Sequence, residues 1–121
     1  MLDLYRLRNV LCLQGDALKL LPSVLERVEV RDALVFLDGH FSGGVTAHGE
    51  LAEPACEEIL ALAGYKDKIN ALIVDDFRCF GRDKGYPSRS RLLETVEDSF
   101  GREFDYTVHL DQLLVWRVGT P

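Results

Sequence analysis

The chain has 121 residues and a net charge of −6, enough for one hydrophobic core and too few for two. Apolar residues make up 47% and charged residues 28%, the balance of a soluble globular domain. The acidic surplus argues against a nucleic-acid or anionic-membrane surface. No apolar run reaches the roughly 20 residues of a membrane span, and charges run through the N-terminal MLDLYRLRNVLCLQGD, unlike a signal peptide. We therefore expect one cytoplasmic domain over residues 1–121, with neither nucleic acid nor membrane as partner. Cys12, Cys56 and Cys79 are odd in number, widely spaced and set among apolar residues, and read as buried reduced thiols.

Five strand-like segments alternate with helical patterns. Asn9 to Leu13 is the first strand candidate. Asp16 can cap a first helical turn, and Pro22 suits the first turn of a further helical piece reaching about Val28. Ala33 to Asp38 is the second strand. From Pro54 to Ala63 the residues Ala55, Ile59, Leu62 and Ala63 keep a helical spacing, with Gly64 as the stop. Asn70 to Asp75 is the third strand. Arg78, Arg82, Lys84, Arg89 and Arg91 then follow closely, interrupted by Asp83, and read as a solvated loop and helix start. Ser88 can cap a helix striped by Leu92, Leu93, Val96 and Phe100 and ended by Gly101. Phe104 to His109 and Leu113 to Val118 form a closing hairpin pivoting on Asp111-Gln112, a turn without the glycine a tight primed turn prefers.

This order predicts an α/β domain with a Rossmann-like, mostly parallel sheet of about five strands, the last two an antiparallel hairpin. In LVFLD and ALIVD both strand faces are apolar, the mark of a sheet covered on two sides. Right-handed crossovers between strands in spatial order would nevertheless put the helices mainly on one face. Something else must cover the other: a second copy, a partner chain, or a missing piece of the same protein.

Two strands end in acid. Asp38 closes one and Asp75-Asp76 the next, and in an open α/β sheet ligands gather beyond the carboxyl ends of the strands. Aspartates at strand ends also cap turns, and Asp38-Gly39 is an ordinary turn pair. Three converging carboxylates, however, need a cation or several donors between them, and oxygen-only ligation suits magnesium or manganese. Adjacent aspartates point to opposite faces of a regular strand, so both reach one ion only where the strand has already turned. His40 can act as a general base. His48 and His109 read as structural or exposed, and GHFSGG as an active-site or cap loop without the lysine of a phosphate loop. A metal-dependent hydrolase with Asp38 and Asp75 on the ion and His40 activating water is one further reading.

FLDGHFSGG, LIVDDFRCFG and GYPS together resemble the C-terminal half of a class I S-adenosylmethionine-dependent methyltransferase, nearest to the macrocin-type sugar O-methyltransferases. LCLQGDA resembles that family's third strand and following turn, and YTVHLDQLLVWRV its closing hairpin. The resemblance implies magnesium held by Asp38, Asp75 and Asp76, a small hydroxylated acceptor on that ion, and Asp16 near the cofactor adenine. His40 stands where the macrocin type has an acidic base. The glycine-rich donor loop of the family has no counterpart here. The resemblance thus implies a domain lacking its first strands, weakly active or inactive alone. The alternative it leaves is a non-catalytic homodimeric module derived from such an enzyme.

Overall fold

The computed structural model describes residues 9–38 and 54–119. These form helix α1 (Ala17–Leu25), strand β1 (Ala33–Leu37), helix α2 (Ala55–Ala63), strand β2 (Ile69–Val74), helix α3 (Arg89–Phe100) and the hairpin β3 (Phe104–His109) and β4 (Gln112–Arg117). One sheet takes the order β1-β2-β4-β3. β1 and β2 are parallel, whereas β4 runs antiparallel to both β2 and β3.

The α/β class is as expected; among the described residues the sheet is mixed and has four strands, against the about five, mostly parallel, that were expected. The difference is Asn9 to Leu13, which adopts no strand. An extended segment becomes a strand only when a neighbour satisfies its backbone N–H and C=O groups, and none among the described residues pairs with it. Alternating apolar residues set a preference there; pairing decides.

Local signals account for the starts of α1 and α3 and for the end of α3. The Asp16 carboxylate accepts the Leu18 N–H at 2.9 Å and starts α1. Ser88 Oγ accepts the Arg91 N–H at 3.1 Å and starts α3, and Gly101, at φ 65°, ends it in a conformation that disfavours a side chain. Pro22 departs from expectation. It lies inside α1 instead of opening a second helical piece, forfeiting one backbone bond to the carbonyl four residues earlier. α1 closes three residues later at Leu25, which is buried in the core.

All three described helices share one layer. α1 packs on α2 and α2 on α3, and their buried Leu25, Ile59, Leu62, Leu92, Val96 and Phe100 join one cluster with Val35, Leu37, Leu72, Val74, Leu113 and Val115 of the sheet. The register aligns Val35, Leu72 and Val115 in one row of that face and Leu37, Val74 and Leu113 in the next. Their neighbours point the other way: Leu34 is 64% exposed, Phe36 49% and Trp116 38%. Among the described residues, then, the helices cover one side of the sheet, and the other side is apolar and partly exposed.

Cys56 and Cys79 are buried free thiols, while Cys12 is exposed. That corrects the reading of all three as buried, because Cys12 lies in the segment that joins no sheet. Among the described residues no helix is long and apolar enough to cross a membrane.

Candidate cation site at the strand tips

The parallel register that aligns Leu37 with Val74 continues one residue further, where the Asp75 N–H donates to the Leu37 carbonyl at 3.1 Å. Asp38 and Asp75 are thereby delivered side by side. β2 ends at Val74, and Asp76 sits in the left-handed region at φ 58° and ψ 44°, opening a single 3-10 turn at Phe77–Cys79. That reversal cancels the alternation which would otherwise send Asp76 to the far face. One carboxylate oxygen from each of Asp38, Asp75 and Asp76 lies within 4.8 Å of the others.

Several contacts hold this corner in shape. Asp111, at the tip of the β3–β4 hairpin, accepts the Arg78 N–H at 2.7 Å and also the Arg78 guanidinium, while its carbonyl accepts the Phe77 N–H at 2.9 Å. The Asp111 carboxylate hydrogen-bonded to the guanidinium pushes the Arg78 pKa up, so Arg78 is a fixed positive charge. Arg78 Nη1 also lies 3.3 Å from Asp76 Oδ1, offsetting part of the repulsion among the acids. On the opposite side Gln112 Nε2 donates to Asp75 Oδ1 at 3.3 Å. Behind the turn, Arg89 donates to the Phe80 carbonyl at 3.1 Å and lies 5.0 Å from the centre of the Phe77 ring. Cys79 faces inward, where burial and then the neighbouring Asp83 push its thiol pKa up.

The expected site residues separate into three groups. Asp38, Asp75 and Asp76 come together. Asp16 is engaged as the cap of α1 and borders a groove of about 400 Å³ lined by Leu11, Leu13, Gly15, Ala17, Leu20 and Leu21. His40 lies outside the described residues, as does the GHFSGG loop after Asp38. Sequence reasoning missed Arg78, Asp111 and Gln112 as parts of this corner. An aspartate at a hairpin tip was a visible signal for turn chemistry, but nothing local ties it to a residue 33 positions away.

The donor set fits a hard divalent cation, being all oxygen and clustered at a strand-end corner. A cation bound there would share Asp76 with Arg78. The residues that line the groove beside Asp16 are aliphatic or glycine, and none of them carries a charge for the amino-acid end of S-adenosylmethionine. No family model, curated protein or solved structure matches this chain.

Proposed function

We propose that this unit is the cation- and acceptor-binding part of an O-methyltransferase-like protein, with no complete donor site among its described residues. The observation that carries this reading is the meeting of Asp38, Asp75 and Asp76 within 4.8 Å at the carboxyl ends of two parallel strands. The closing antiparallel hairpin beside β2 also supports it, since the resemblance implies such an ending.

In this reading Asp38, Asp75 and Asp76 hold magnesium, which supplies Lewis-acid polarisation of an acceptor hydroxyl. His40, two residues beyond Asp38, takes the hydroxyl proton. Arg78 keeps Asp76 oriented, and Asp111 keeps Arg78 in place. The described residues make no complete methyl-donor site, and in this reading the chain alone is weakly active or inactive.

Calorimetric titration with magnesium and manganese tests the reading. The unmutated protein binds either ion, Asp75→Asn weakens binding at least about tenfold, and S-adenosylmethionine alone gives no heat. Absence of any divalent-cation binding by the unmutated protein overturns the reading.

A further inference from the structure

We propose that Asp105 closes the outer edge of β3 against strand addition, its carboxylate occupying the backbone N–H through which a further strand would pair. This goes beyond the cation-site reading and does not rest on it. Asp105 stands opposite Trp116, in the half of the hairpin away from the Asp111 tip.

Ladder phase shows which groups turn outward. Among the described residues β3 pairs with β4 alone, at the end of the order β1-β2-β4-β3. Along an antiparallel pair, one residue turns its N–H and C=O to the partner and the next turns both away. The Val118 N–H donates to the Glu103 carbonyl at 2.8 Å. Counting from that bond, Asp105, Thr107 and His109 face β4, while Phe104, Tyr106 and Val108 face outward. The two-residue turn at Leu110-Asp111 demands the same phase, because its flanking His109 and Gln112 are then a bonded pair.

Such an edge is a template. Phe104, Tyr106, Thr107 and Val108 are all good strand formers, and a row of unpaired N–H and C=O groups beside them invites another strand. Asp105 is the exception, a charged residue and a poor strand former. Its Oδ1 accepts the Tyr106 N–H at 2.8 Å, a charge-assisted bond of the stronger kind. Tyr106 is itself held in place, since its hydroxyl donates to Glu97 Oε1 on α3 at 3.0 Å. The middle one of the three outward donors is therefore already taken. A strand arriving from any source has to displace the carboxylate and leave it beside its own carbonyl oxygens.

The middle position matters most for pairing between copies. Two β3 edges related by a two-fold axis through Tyr106 would match Tyr106 with its counterpart and Phe104 with Val108. The Asp105 carboxylate sits at that axis, so such a ladder meets the obstacle twice. Removing the acceptor opens the edge.

Sedimentation velocity from low micromolar to near-millimolar protein tests the proposal, with Asp105→Ala, Asp105→Val and Asp105→Asn beside the unmutated chain. Asp105 is exposed, so circular dichroism of the dilute variants stays unchanged. Alanine and valine tighten self-association at least about tenfold. Asparagine keeps an acceptor oxygen without the charge and behaves as the unmutated chain does. Adding Val108→Pro to Asp105→Ala removes an outward N–H that β4 does not use, and returns association to the unmutated level. Amide exchange at Tyr106 in dilute protein is slower in the unmutated chain than in Asp105→Ala. No gain in association by either the alanine or the valine variant overturns the proposal. So does association by Asp105→Asn as strong as by Asp105→Ala, because charge and not the hydrogen bond would then guard the edge. Association that survives Val108→Pro overturns it as well, since the copies would meet elsewhere. None of these results touches cation binding, which is read by calorimetry.

Discussion

Asp111 fastens Arg78 from 33 residues away, accepting both its backbone N–H and its guanidinium. A hairpin tip and a strand-end turn thereby become one corner, and the position of Asp76 depends on it. Asp111→Ala removes both bonds and loosens the turn. We expect a stability loss of about 1 kcal/mol from the backbone N–H bond, with a further part from alanine at the left-handed φ of 66°, read from the urea midpoint. Arg78→Ala keeps the backbone bond, so its midpoint falls less. Equal losses in the two variants would place the weight on the ion pair instead.

The same hairpin turns through Leu110 at φ 48° and Asp111 at φ 66°. Two consecutive left-handed residues are what a two-residue primed turn demands. A leucine there is strained, and Leu110 is 83% exposed, so its side chain returns little. Leu110→Asn should raise stability by about 0.5–1 kcal/mol, measured by thermal or urea unfolding. A loss of stability would show that Leu110 makes a contact outweighing the strain.

The two sheet faces predict opposite responses to truncation. Leu72 is fully buried beneath the helices, and Leu72→Ala should cost about 2–5 kcal/mol. Leu34 stands on the open face, and in dilute protein Leu34→Ala should change stability by less than about 1 kcal/mol. Comparable losses at the two positions would mean that the open face is covered within a single chain.

Thiol chemistry separates the cysteines. Cys12 is exposed, while Cys56 and Cys79 are buried, and the raised pKa of Cys79 keeps it protonated near neutral pH. One thiol should react promptly with a disulfide reagent in the native protein, and all three in urea. Prompt labelling of Cys79 would contradict its packing behind the strand-end turn.

Glu103 carries a small acid dependence. The Lys66 ammonium, 2.9 Å from its carboxylate, holds the Glu103 pKa below the usual range, helped by Arg117. A carboxyl whose pKa is lower folded than unfolded contributes stability above its unfolded value and loses it as pH falls through the folded one. Glu103→Gln should therefore lower the urea midpoint near neutral pH and have less effect in acid. The pair is substantially exposed, so the difference is slight.

Sequence by itself determined the parts ruled by local chemistry and by pattern. Asp16 and Ser88 start their helices because a side-chain oxygen satisfies a free N–H two or three residues on. Apolar residues on both sides of LVFLD and ALIVD announced two strands and an apolar character for both faces of the sheet. The acidic endings of those strands were legible as well.

Tertiary structure decided what depends on pairing between distant segments. Asn9 to Leu13 has the pattern of a strand but no neighbour to complete its ladder. Pro22 is carried within α1, which buries Leu25 in the core. Asp38 meets Asp75 because the β1–β2 register extends one residue past the strands, and Asp76 joins them only after the backbone turns left-handed. Hydrogen-bond register and chain reversal bring particular groups together, whereas residue type alone fixes only what they prefer.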